Sequence, residues 1–158
     1  MSALTFVNLF AGPTGSITLG IKGNQQSGAL TNVILGSVQN VVTAGTVTIG
    51  GGAGGSGDGN TPHTLRLGAG ANLLNIDSMN IGNRERDSGQ LIFAGTTGTV
   101  VLRNAAGTGA ANVSLGQSVN GTSTGYVGTN LFDVTGHYAD LSIANLTLGA
   151  STTRVGAA

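Results

Sequence analysis

A short motif recurs along this chain of 158 residues: an apolar residue, a variable residue, an apolar residue and a glycine. One row of copies ends at glycines about 32 residues apart, namely Gly20, Gly50, Gly82, Gly116 and Gly149. An offset second row ends at Gly36 (VILG), Gly68 (LRLG), Arg103 (VVLR) and Thr135 (FDVT). The apolar residues of each copy alternate with period two, which is typical of a strand with one buried face. The chain is therefore predicted to form short strands and to return on itself about every 32 residues.

Pairs of residues at strand spacing that follow the second row indicate a third strand in each turn. Three of these pairs are apolar, namely Val42/Ala44, Leu74/Ile76 and Leu141/Ile143, and the fourth is Gly109/Ala111. The interval from a second-row end to the next first-row glycine is nearly constant, at about 14 residues. The interval from a first-row glycine to the next second-row end varies. We therefore expect one side of each turn to be fixed and the other to accept insertions. Asn40 and Asn72 share a phase, which fits either a ladder of stacked side chains or two unrelated turn residues.

Three strands per turn of about 32 residues predict an all-β protein, a parallel β-helix or β-solenoid of four to five turns. We expect one domain over residues 1–158, with 1–13 as an N-terminal cap and 150–158 as a tail or C-terminal cap. Each glycine that ends a strand is expected at a corner, because a positive φ carries no Cβ penalty there. A β-sandwich is the alternative, since short alternating strands between glycine turns also satisfy that fold.

The composition excludes several other classes. Glycine supplies 29 residues, which disfavours long helices, and cysteine is absent, which removes disulfides and thiolate metal sites. The formal net charge is zero, so no electrostatic footprint favours nucleic acid, and no apolar run is long enough to insert into a membrane. Intrinsic disorder is disfavoured because 39% of the residues are hydrophobic and the mean hydropathy is +0.23.

The residues that could carry chemistry are few and scattered. Asp77 and Asp140 lie at different phases of the repeat, so the carboxylates form no glycosidic pair, and we predict no catalysis and no cofactor. His63 and His137 lie on different sides of the turn, so their spacing does not predict a metal site. His137 fits either a turn histidine or a position near Asp140. The run at 54–60, GGSGDGN, fits either a flexible loop or an imperfect copy of a calcium-binding glycine-rich repeat.

Loops on the variable side are the best candidate for a binding surface. The segments 21–27, 51–61, 83–89 and 117–128 leave the predicted stack at one corner and would form one lateral face. The candidate binding residues on this face are Arg84, Glu85, Arg86, Asp87 and Tyr126. Tyr126 could stack on a sugar, so the alternative function is a carbohydrate-binding or carbohydrate-cleaving module. The other interpretation is a loop face that contacts only solvent.

The outward positions of the first-row strands form a second candidate surface. They carry Thr18, Thr48, Asn80, Ser114 and Thr147. Such a row fits either an ice-binding threonine array or an ordinary solvated strand face, where threonine is common.

The segments LRLGAGANLLNIDSMNIGNRERDSGQLIF (65–93) and FDVTGHYADLSIANLTLG (132–149) resemble the Gly/Thr/Asn-rich β-helical repeats of bacterial autotransporter passengers and related giant secreted surface proteins. The resemblance covers about residues 14–150. It implies a right-handed β-helix that is exported and acts at the cell surface as a stalk, fibre or adhesin. Residues 1–6 lack the features of an export signal, so we expect any such signal to lie outside this sequence.

The ends of the predicted stack suggest a partner. A last rung at Leu146–Leu148 would expose unpaired backbone groups unless the terminal segments cap it. We therefore expect copies of the chain to stack head to tail through their terminal rungs, with surface glycans as a further candidate partner.

Overall fold

The structure, a computed structural model, describes residues 6–20, 31–50, 62–82, 88–116 and 129–149. These residues form eleven β-strands and no helix, which confirms the all-β prediction. In chain order the strands are β1 (Phe6–Leu19), β2 (Asn32–Ile34), β3 (Gln39–Ile49), β4 (His63–Leu67), β5 (Ala71–Ile81), β6 (Gly89–Phe93), β7 (Thr99–Arg103), β8 (Ala111–Leu115), β9 (Leu131–Phe132), β10 (Tyr138–Leu141) and β11 (Ile143–Leu148).

The strands stack in two parallel sheets. In the seven-stranded sheet the order is β1-β3-β5-β7-β10, with β8 on the second half of β5 and β11 on β8, and the four-stranded sheet has the order β2-β4-β6-β9. Each strand pairs in parallel with the strand of the next turn, as Val42 does with Leu74, 32 residues further on. This arrangement confirms the β-solenoid and rules out the β-sandwich, whose sheets are antiparallel.

The extent of the stack differs between the two sheets. The four strands of the shorter sheet span about three complete turns. The longer path stacks five strands, because β1 adds a level before β2. The structure thus supports about three turns, fewer than the four to five that the sequence predicts. Residues 6–10, which fall in the segment predicted as a cap, pair with Gln39–Thr43 of β3.

Inward side chains of successive levels fall on top of one another and fill the interior. One such row contains Leu19, Ile49, Ile81, Leu115 and Leu148. Ile49 and Ile81, in the middle of the stack, are fully buried. Burying a side chain of this size stabilises the fold by about 1.5–3 kcal/mol. Because these side chains pack on the same row of the neighbouring levels, contacts between levels are the main stabilising contacts of the core.

One strand lies in a different row from the one predicted. VVLR, which ends at Arg103, is β7 and stacks on the first half of β5, with Leu102 opposite Leu74. Its predicted place in the second row is taken by β6, where Leu91 lies opposite Leu65. The prediction was wrong because a turn over residues 104–110 lengthens this level within the side that other turns keep constant. Because β7 lies one strand later in its turn than predicted, the interval from Arg103 to the next first-row glycine should be shorter than usual. The inserted turn makes up the difference, so the interval from Arg103 to Gly116 is close to the usual spacing by coincidence.

The glycines of the two rows act in different ways. The five first-row glycines all have positive φ, between 61° and 81°, as predicted for corners. Gly68 of the second row has no positive φ; instead, a Cβ at this position would overlap the carbonyl oxygen of Gly36 one level away. Glycine is therefore required at position 68 by the close approach of two backbone segments.

Candidate functional site at the last level of the stack

The predicted lateral binding face falls outside the described residues. Arg84, Glu85, Arg86, Asp87 and Tyr126 all lie there, as do nearly all of the loops at 21–27, 51–61, 83–89 and 117–128 and the glycine-rich run at 54–60. The binding role of these residues remains a prediction, and the structure describes candidate sites on the strands only.

Two buried asparagines link consecutive levels. The Nδ2 of Asn40 donates to Oδ1 of Asn72 at 2.8 Å, and that oxygen also accepts the backbone N–H of Gly68 at 2.9 Å. The Nδ2 of Asn72 donates to the carbonyl oxygens of Gly68 and Thr99, each at 2.9 Å. Both asparagines are almost completely buried. Of the two sequence interpretations, the side-chain ladder is therefore correct.

His63 is the first residue of β4. It is 1% exposed in β4, and a Cβ on Gly20 would overlap its imidazole ring. Its Nδ1 accepts the backbone N–H of Thr31 at 3.1 Å, so this nitrogen carries no proton in that contact. The ring thus contacts both Gly20 and Thr31, which flank the connection from β1 to β2.

His137 occupies the turn that precedes β10, as predicted. Its ring stacks on Phe93, with centroids 3.6 Å apart and planes 8° from parallel. The two histidines do not converge on one site. Within the described ranges, no cluster of three or more histidine, aspartate or glutamate side chains could hold a metal ion.

The outer face of β7 and β10 carries a polar cluster that the sequence did not reveal. The guanidinium of Arg103 contacts the carboxylate of Asp140 at 2.6 Å (Nη2 to Oδ2). This hydrogen bond lowers the pKa of Asp140 and raises that of Arg103. Tyr138, on the same strand as Asp140, is 68% exposed. The error in the row of β7 hid the cluster, because it placed Arg103 away from the strand that contains Asp140.

The predicted row of threonines is in register but is not an open surface. Thr18 pairs with Thr48, Thr48 with Asn80, and Ser114 follows Asn80 and precedes Thr147. Thr48 is only 8% exposed. The hydroxyl of Ser114 donates to Oδ1 of Asn80 at 2.7 Å, so part of the row is engaged in bonds between levels. A flat threonine array that faces water is therefore not supported.

The last level exposes inward-facing leucines. Leu146 and Leu148 of β11 are 57% and 62% exposed, although their neighbours in the same rows are buried deeper in the stack. Within the described residues, β11 pairs only with β8, and β10 only with β7. This level presents an apolar surface together with the unpaired backbone groups of two strands.

No protein-family model, no curated protein and no solved structure matches this chain. No helix in the described ranges is both long and apolar enough to span a bilayer.

Proposed function

We propose that this chain is a structural segment of an extracellular bacterial surface protein, a β-solenoid stalk or fibre without catalytic activity. The observation that carries the proposal is the parallel stack itself, in which five strands pair in the order β1-β3-β5-β7-β10. Each level contacts mainly its neighbours, which is the organisation of a linear spacer. The extracellular location and the adhesin role rest on the resemblance of the repeats to autotransporter passengers.

A pulling experiment on single molecules tests the mechanical role. A stack of levels should unwind in steps of about one turn, and 32 residues at about 3.5 Å each give roughly 11 nm per step. The chain would be held at its two ends in an optical trap, with Gly95→Ala as a control that alters no contact between levels. A single extension of the whole chain without intermediate steps would contradict the proposal. Antibody labelling of intact and permeabilised source cells tests the location.

A second candidate function is glycan binding at the cluster of Arg103, Tyr138 and Asp140. The exposed ring of Tyr138 offers a flat apolar face for a sugar, and the charged pair beside it offers a donor and an acceptor for hydroxyl groups. This cluster differs from the predicted loop surface around Arg84 and Tyr126, and the two can be tested separately.

A glycan panel distinguishes these surfaces. Loss of binding in Tyr138→Ala, with binding retained in Phe10→Ala, would support the sheet face, because Phe10 is an equally exposed aromatic residue at the other end of the stack. Loss in Arg84→Ala or Tyr126→Ala would support the loop surface. Absence of binding by the wild-type chain would contradict both, and release of unsaturated sugar products would show an enzyme.

A further inference from the structure

Among the described strands, none covers the last level, whereas each middle level lies between two others. Leu148 is 62% exposed, whereas Ile81 and Ile49 of the same row are fully buried between their neighbours. Leu146 is 57% exposed, whereas Val113, directly beneath it, is 2% exposed. The difference arises from position alone, because the residues of each row have similar size and chemistry. The last level is therefore shaped to receive one more level of the same kind.

The first level of the chain carries the matching residues. Through the ladder of pairs, Ile17 belongs to the row of Leu146, and Leu19 to the row of Leu148. Leu9 similarly belongs to the row of Leu141. Among the described strands, β1 pairs only with β3, so its other edge is unpaired. The two ends of the stack thus present the same rows to opposite directions.

The polar residues and charges of the two ends are also compatible. Thr18 and Thr147 share a row, so hydroxyl groups would meet hydroxyl groups. The described residues of β1 include no charged side chain. The one carboxylate of β10, Asp140, is already paired with Arg103 of its own chain. Contact between the two ends would therefore bring no like charges together.

We infer that the occupant of the last level is a second copy of this chain, whose β1 lies parallel on β10 and β11. The register places Leu9 on Leu141, Ile17 on Leu146 and Leu19 on Leu148, about 4.8 Å apart along the axis. The inference rests on the proposed structural role and specifies its partner. In the described part of the chain, the first level contains β1 of the seven-stranded sheet and no strand of the four-stranded sheet. The interface is therefore formed by the seven-stranded sheet. Because the two surfaces differ, the contact is heterologous and would produce open filaments.

Sedimentation velocity and electron microscopy of the purified chain across a concentration series test this interface. The wild type is expected to form filaments with a layer line near 4.8 Å. The double variant Leu146→Lys/Leu148→Lys is expected to raise the concentration needed for assembly about tenfold or more, because it places charges on the exposed edge. Val38→Lys is the matched control, since Val38 is 63% exposed at a lateral corner and should leave assembly unchanged. Circular dichroism of each variant verifies that the fold is retained.

A mixing experiment separates head-to-tail stacking from other kinds of association. The double variant keeps an intact β1, so it should bind the last level of a wild-type chain. Its own altered last level should not bind the β1 of a further chain. Small amounts of it should therefore shorten wild-type filaments, whereas Val38→Lys should not. The inference is overturned if the wild type stays monomeric at high concentration, or if the double variant assembles as well as the wild type. A monomer that still unwinds turn by turn under force would overturn the stacking and retain the structural role.

Discussion

Asn72 shows how a single residue joins three levels of this structure. It accepts a hydrogen bond from Asn40 of the level before and donates one to the carbonyl oxygen of Thr99 in the level after. In its own level it bonds both the N–H and the carbonyl group of Gly68. Because the side chain is 2% exposed, water cannot replace these partners.

Replacing Asn72 should be costly, whereas replacing an exposed asparagine of similar geometry should not. Asn72→Ala is expected to lower the free energy of unfolding by about 2–4 kcal/mol, because several buried partners lose their hydrogen bonds. Asn145→Ala, which removes the exposed bond to Asn112, should cost about 0.5 kcal/mol or less. Urea denaturation of both variants measures the difference. Equal losses would show that burial does not determine the strength of the ladder.

Two glycines offer a second test at this scale. Gly68→Ala should destabilise the protein by about 3 kcal/mol or more, because its Cβ would overlap the backbone of Gly36, which cannot move without separating two levels. Gly95→Ala should be neutral or stabilising by up to about 1 kcal/mol, because nothing lies within 4 Å of its Cβ and its φ is not positive. Thermal denaturation compares the two. A tolerated alanine at position 68 would mean that the levels can separate locally.

At the scale of elements, β7 is the strand that departs from the regular repeat. The turn that follows it is closed by Asn104, whose Oδ1 accepts the backbone N–H of Gly109 at 2.9 Å. The N–H of Ala105 donates to Oδ1 of Asp77 at 2.8 Å, so the turn is also fixed to β5. These bonds let the chain insert a turn and still return to the stack at β8, which pairs with the second half of β5.

The ion pair between β7 and β10 should make the attachment of the last level depend on pH. The hydrogen bond from Arg103 lowers the pKa of Asp140 in the folded chain. Its contribution to stability is thus fully present above the ordinary aspartate pKa, about 3.9, and is lost as the pH falls through the lower folded value. A double-mutant cycle of Arg103→Gln and Asp140→Asn should give a small favourable coupling at pH 7 that disappears under strong acid. A coupling that is independent of pH would contradict this assignment.

At the scale of the whole molecule, stability should decrease from the middle of the stack towards its ends. Strands of the middle levels have partners on both sides, whereas β1 and β11 have a described partner on one side only. Burial of the inward rows follows the same gradient. Local opening should therefore begin at the terminal levels.

Truncations along one row test this gradient. Ile81→Ala should lower the free energy of unfolding by about 2–5 kcal/mol, because it leaves a cavity in the closed interior. Leu148→Ala, in the same row, should cost about 1 kcal/mol or less when measured on the monomer, because that side chain is already 62% exposed. Hydrogen exchange of the wild type should show the slowest amides in β5. Faster exchange in β5 than in β11 would contradict the gradient.

The sequence by itself determined the fold class, because alternating apolar residues and a repeat of about 32 residues leave few structures other than a stack of parallel turns. It also determined the corners, since only a glycine adopts a positive φ without strain at Gly20, Gly50 and Gly82. The phase shared by Asn40 and Asn72 was visible in the sequence, although a ladder and two turn residues predicted the same spacing.

Only the tertiary structure decided which strand lies on which. VVLR fits either row equally well, because both rows demand the same alternation, and an inserted turn preserved the apparent spacing. The pairing of Leu102 with Leu74 resolved the choice, and with it the contact between Arg103 and Asp140. The exposure of Leu146 and Leu148 likewise depends on whether another level covers them, which local sequence does not encode. Alternation specifies that a residue faces inward, but burial depends on neighbours that are far away in the chain.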